Sequence, residues 1–209
     1  MAKMESSLKN MLLSLGVICL VCAGLLAIVN AATEKKIARV MADKTARAIA
    51  QVVPAFDGAP LDTTVVLDGR EFAVHKAMEG DSVVVGYAIE SSTAGFGGPI
   101  NLMVGFSADG EIYSTAVISH SETPGLGAKM TDETSRFRTQ FQGMNPAEST
   151  LAVTKDGGDV DAITASTITS RAFTAAVQQA YNVYLTAKGE EPDAVSAATP
   201  QVGEGGSDE

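Results

Sequence analysis

Five of the seven residues from Thr164 to Ser170 carry hydroxyls, inside the run Asp161-Ala162-Ile163-Thr164-Ala165-Ser166-Thr167-Ile168-Thr169-Ser170-Arg171. The run leads into Ile168–Lys188, where Ala176, Val177, Ala180 and Tyr184 recur as one helical stripe. Two chemistries fit that position. One hydroxyl can cap the helix while the others do little. Alternatively, the helix start is an anion site, because its free amides and partial positive charge suit a phosphate. Arg171 stands about one turn in, spaced to reach such a phosphate.

A second segment, Ser119-His120-Ser121-Glu122-Thr123-Pro124-Gly125-Leu126-Gly127-Ala128-Lys129, directly follows a strand pattern. Its Pro and two Gly fix a backbone that can approach a ligand closely, or simply a long turn. Other chemistries find no support. There is no Gly-x-x-x-x-Gly-Lys-Ser/Thr loop and no Gly-x-Ser-x-Gly elbow. Gly125-Leu126-Gly127 begins like a dinucleotide fingerprint, but Met130 stands where the third Gly belongs. His75 and His120 are the only imidazoles, and nothing pairs either with a nucleophile. The two cysteines, Cys19 and Cys22, lie in an apolar stretch, so the rest of the chain holds neither a disulfide nor an iron–sulfur cluster of its own. A zinc site is not expected. With 15 Lys and Arg against 25 Asp and Glu, the net charge of −10 argues against nucleic-acid binding.

The elements that position these segments read as strands first. Thr63–Asp68 and Arg70–Met78 flank the hairpin turn Asp68-Gly69. Ser82–Glu90 alternates after Glu79-Gly80-Asp81. Ile100–Ser107 and Glu111–Ser119 flank Asp109-Gly110. A helix is expected over Asp132–Gln142, with acids in its first turn and Arg136 and Arg138 later, and a short strand over Thr150–Thr154. Strand runs with helices between and after them indicate an α+β domain with a mostly antiparallel sheet, over residues 60–188. Residues 189–209 are acidic and Gly-rich and read as a disordered tail.

Ahead of the domain, Met11–Asn30 is uncharged over twenty residues, enough to cross a bilayer as a single transmembrane helix. Residues 1–30 therefore read as an anchor rather than a signal peptide, although Val29-Asn30-Ala31-Ala32 resembles a weak cleavage site. Residues 31–59 hold a basic juxtamembrane helix, Glu34–Gln51, and a linker, with Pro54 ending the helix. Lys35, Lys36, Arg39, Lys44 and Arg47 outnumber Lys3 and Lys9, so the positive-inside rule puts the C-terminal domain in the cytoplasm.

Asp161-x-x-Thr164-x-Ser166-Thr167 resembles the recognition motif of the covalent flavinylation family, in which a flavin transferase attaches FMN through a phosphoester to the final Thr. The family pattern has Gly-Ala before that Thr, where this chain has the equally small Ala165-Ser166. Three blocks in order, Gly95-Phe96-Gly97-Gly98-Pro99-Ile100, His120–Gly127 and Asp161–Arg171, look like those of the G subunit of the Rnf ion-translocating electron-transport complex. The resemblance covers roughly residues 10 to 186. The C subunit of the sodium-translocating NADH:quinone reductase is similar, as are freestanding flavinylated extracytoplasmic carriers.

The resemblance implies an electron-transfer flavoprotein subunit, with FMN on Thr167, in a complex coupling ferredoxin and NAD redox to ion transport. It implies iron–sulfur and integral membrane subunits as partners, and an FAD-dependent flavin transferase for maturation. Thr123, Leu126, Gly127 and Lys129 would line the flavin, with Leu126 over a ring face and Lys129 toward the reduced ring or the phosphate. Thr164, Ala165, Ser166 and Arg171 would surround the attachment. Glu122 is expected to cap amides of its own loop, Asp161 to be read by the transferase, and His120 to be a structural loop residue. The chain alone would hold no complete active site. In this family the flavin domain lies on the extracytoplasmic side of the bacterial cytoplasmic membrane. That opposes the Lys/Arg count, and the family takes precedence because juxtamembrane cations can serve lipid headgroups.

Overall fold

Period-two alternation builds a single sheet from β1 (Leu61–Leu67), β2 (Arg70–Glu79), β3 (Val83–Ala94), β4 (Pro99–Ser107) and β5 (Ile112–Ser119). The strands pair in chain order, each antiparallel to the next. Asp68 and Gly69 both take positive φ, 52° and 74°, as a two-residue hairpin turn requires. This computed structural model describes residues 8–80 and 83–189. Residues 1–7, Asp81, Ser82 and residues 190–209, where a disordered tail is expected, lie outside the described residues.

The sheet buries both faces. Along β4, Ile100, Leu102, Val104 and Phe106 point to one side, where α3 (Thr167–Lys188) lies across β3 and β4. Ala172, Phe173, Ala176, Val177, Ala180 and Tyr184 of α3 meet them. Phe137, Phe141 and Phe173 pack edge-on or tilted at 5.1 to 5.7 Å, as ring quadrupoles prefer. The opposite face carries Ala77, Ala88, Met103 and Ala116 and receives Ala48, Ile49, Val52 and Val53. Gly105 permits this close seating, because a Cβ there would overlap the Val52 carbonyl.

Contacts divide the chain into two units, up to Ala46 and from Arg47 onward. The helix α1 covers Leu8–Val52, 45 residues. The expected anchor and juxtamembrane helix are thus continuous. No Gly or Pro lies between Ala31 and Val53, and Pro54 then restricts the residue before it. In the first unit the apolar residues of α1, Leu12, Leu20 and Leu26 among them, are exposed. An 18-residue window there has a mean hydropathy of 2.9 with none of it buried, making this helix long and apolar enough to cross a membrane.

Two expected elements differ. Asp132–Gln142 is not one helix: α2 covers only Arg136–Thr139. Asp132 Oδ1 accepts from the Thr134 amide at 2.9 Å, and the Ser135 hydroxyl accepts from the Arg138 amide. These local side-chain bonds compete with helix propagation and set the start at Arg136. The expected strand Thr150–Thr154 is a self-contained loop. The Asp159 carboxylate accepts from the Thr150 amide at 2.7 Å, a turn covers Thr154–Asp156, and a single parallel bridge joins Val153 to Val160.

Candidate functional site

The hydroxyl-rich run enters α3 through an unusual corner. Ala165 takes φ 62°, in the left-handed region where a Cβ costs about 1–2 kcal/mol. Ser166 follows as the N-cap residue, yet its side chain makes no capping bond. Its Oγ is buried without a partner, and burying an unpaired hydroxyl costs about 1–3 kcal/mol by mutational measures. Thr167 is half-buried at the first helical position, where backbone amides have no intrahelical acceptor. Two further hydroxyls of the run, those of Ser170 and Thr169, are hydrogen-bonded. Ser170 Oγ donates to the Ser166 carbonyl at 2.9 Å and accepts from the Ile163 amide at 2.9 Å.

Thr169 leads to the second segment. Its Oγ1 donates to Glu122 Oε2 at 2.7 Å, and Glu122 Oε1 accepts from the Gly97 amide at 3.0 Å. Glu122 is only 5% exposed. Its carboxylate therefore ties together the β3–β4 turn, its own loop and α3. The expectation that it caps amides of its own loop is corrected: the amide it holds belongs to the turn before β4, brought near by the sheet. Gly97 is required there, since a Cβ would overlap the Ser121 carbonyl. His120 Nδ1 accepts from the Glu122 amide at 3.1 Å, a local loop bond.

Below this tie the chain makes a 3₁₀ turn at Gly127–Thr131. Arg138 anchors it, donating to the carbonyls of Thr131 and of Thr115 on β5. Burial pulls the Arg138 pKa down, but a guanidinium stays charged.

These pieces enclose an open cleft of about 380 Å³, within the size range of small-molecule sites. Glu122, Thr123, Leu126 and Gly127 form one side; Ala165, Ser166, Thr167, Ile168 and Thr169 form the other; Phe96 stands at the rim. The two segments singled out by their chemistry thus meet in space. Phe96, Ile168 and Thr169 were not among the expected site residues. The signal for Phe96 was a lone aromatic between glycines.

The remaining expected residues lie elsewhere. Thr164 and Lys129 are outside the set that lines the cleft, and Thr164 is exposed. Arg171 donates through Nε and Nη2 to Asp156 at 2.7 and 2.6 Å. Those bonds hold the Asp156 carboxyl below its ordinary value and raise the Arg171 pKa. The backbone of Asp161 exchanges two hydrogen bonds with the Gln140 side-chain amide, leaving its carboxylate exposed beside Arg136 at 3.2 Å. Among the described residues no group of three acidic, His or Cys side chains could hold a metal.

The donor set suits a phosphorylated, planar cofactor. The uncapped start of α3 borders the cleft, with the orphaned Ser166 hydroxyl buried beside it, and Phe96, Leu126 and Ile168 supply large apolar side chains to the lining. The chain thus combines a helix long and apolar enough to cross a membrane with an α+β domain whose cleft suits a small phosphorylated ligand. Residues 95–182 match the FMN-binding domain family, and residues 1–52 match the RnfG N-terminal region. The G subunit of the ion-translocating oxidoreductase complex from Pseudomonas aeruginosa is 35% identical over 196 residues, 88% of this chain and 91% of that one. The corresponding G subunit from Methanosarcina acetivorans is also 35% identical, covering 88% and 97%. The chain belongs to the family of G subunits of ion-translocating oxidoreductase complexes. The C subunit of a Na⁺-translocating NADH-quinone reductase from Parabacteroides distasonis is a structural neighbour, with a TM-score of 0.44 and 21% identity over 65% of this chain and 78% of that one.

Proposed function

We propose that FMN is joined through its phosphate to Thr167 Oγ and that the chain relays electrons within a complex coupling ferredoxin and NAD redox to ion translocation. The observation carrying this reading is the buried, unpartnered Ser166 Oγ next to the half-buried Thr167 hydroxyl, at a helix start opening on the cleft. Attachment from FAD by a flavin transferase forms the bond between Thr167 Oγ and the FMN phosphorus. It breaks the pyrophosphate bond, releases AMP and passes the hydroxyl proton to solvent. The resulting phosphodiester keeps one negative charge, which the free amides of α3 and the Ser166 hydroxyl can hold.

When bound, the flavin supplies the redox chemistry, and the protein supplies placement. Leu126 and Thr123 border the ring space, and Gly127 leaves room for the Glu122–Thr169 pair, which a Cβ would crowd. Asp161, exposed and held by Gln140, is available for the transferase to read. Iron–sulfur and integral membrane subunits donate and accept the electrons. The flavin domain stands on the extracytoplasmic side, which protease protection on intact cells tests.

The direct test is production of the full chain with the transferase. Parent protein stays yellow through denaturation and has the mass of one FMN added less one water. Thr167→Ala is colourless at its bare mass. A colourless parent chain overturns the reading.

A further inference from the structure

Phe96 is 69% exposed, although full burial of such a side chain gains roughly 1.5–3 kcal/mol. The turn that carries it explains why it cannot collapse. The Gly95 amide donates to the Gly98 carbonyl at 2.8 Å, closing the turn, and the Gly97 amide is held by the Glu122 carboxylate. Phe96 is the one side chain between Gly95 and Gly98, and it stands at the cleft rim. Leu126 and Ile168, 44% and 52% exposed, are the other large apolar groups lining the cleft. A fixed aromatic face and two aliphatic side chains suit a flat conjugated ring better than a flexible chain.

We propose, resting on the reading that Thr167 bears FMN, that Phe96 forms a wall of the flavin ring site and that Glu122 is the positioning residue that sets its distance from the attachment point. The geometry is direct. One carboxylate oxygen holds the turn that presents Phe96, and the other holds Thr169, two residues after Thr167. A shift of this carboxylate moves the ring wall relative to the linkage.

The chain contains no Trp, so Phe96→Trp introduces a single indole. An indole in contact with a flavin quenches its emission by reversible electron transfer to the excited ring, and a distant one does not. The full chain, made with the transferase and held in detergent, is read by directly excited flavin emission per attached FMN, with the adduct counted by mass. Phe96→Trp lowers that emission several-fold against the parent, whereas Tyr113→Trp, at an exposed position on β5, leaves it unchanged. Adding Glu122→Gln to Phe96→Trp recovers part of the emission per attached FMN, an effect that loss of stability alone would not produce. Full adduct with undiminished emission in Phe96→Trp overturns the inference and leaves the covalent reading intact. No adduct, but quenching of added free FMN by the Phe96→Trp protein, supports the ring wall and overturns the linkage. No adduct and no quenching of added FMN overturns both.

Discussion

The two ends of α3 are built by opposite rules. At the C-terminal end Gly189 takes φ 87° and its amide closes on the Leu185 and Thr186 carbonyls, with Lys188 in the last turn. Conformation, hydrogen bonding and charge all agree there. At the N-terminal end an alanine occupies the left-handed region, the N-cap serine makes no cap bond, and its hydroxyl is buried without a partner. Local rules are satisfied where the helix only has to stop and are broken where it faces the cleft. Uncompensated local strain of this kind concentrates at functional sites.

The contrast can be broken most severely at Glu122, which supports the open end. Glu122→Ala strands the buried Thr169 hydroxyl, at about 1–3 kcal/mol, and releases the exposed Gly97 amide to water. Urea unfolding of the full chain in detergent should show a loss of about 1–3 kcal/mol. A loss below about 0.5 kcal/mol, typical of surface substitutions, would mean that the carboxylate ties nothing together.

Gly189→Ala tests the finished end. A Cβ in the left-handed conformation costs about 1–2 kcal/mol, and the same unfolding measurement should show that loss. Ala165→Gly should act with the opposite sign. It relieves the left-handed strain but adds about 0.5–1 kcal/mol of glycine entropy cost, for a net gain of up to about 1.5 kcal/mol. If both changes destabilise equally, the two ends do not differ as described.

The smallest effect concerns the Asp156–Arg171 tie beside the open end. The Asp156 carboxyl is lowered in the folded chain, so its contribution is present above its ordinary value, about pH 4, and is lost as pH falls through the lowered one. A slight acid destabilisation, absent in Asp156→Asn and weakened by salt, is expected in unfolding curves taken between about pH 5 and pH 2. An identical acid profile in Asp156→Asn would remove this pair from the description.

Legibility in the sequence followed the range of the interactions. The hairpins at Asp68-Gly69 and Asp109-Gly110 and the stripe of α3 are set by neighbouring residues and period, and they lie where expected. Asp132–Gln142 was misread because Asp132 and Ser135 engage nearby amides through their side chains, which composition does not reveal. Both segments of the cleft were visible as odd local chemistry, and the resemblance linked them before any geometry did. The partners of Glu122 were not visible. Gly97 is 25 residues away and Thr169 is 47 residues away, so only the closed sheet brings them to one carboxylate. Arg171 was expected at a phosphate, yet Asp156, in a loop mistaken for a strand, holds its guanidinium.

Peptide mass spectrometry of the natively produced chain, on the fragment spanning Thr164 to Arg171, bears most directly on the role given to the open end of α3. One FMN less one water, localised by fragmentation to Thr167, is the expected result. The same peptide at its unmodified mass, from cells that possess the transferase, would contradict it.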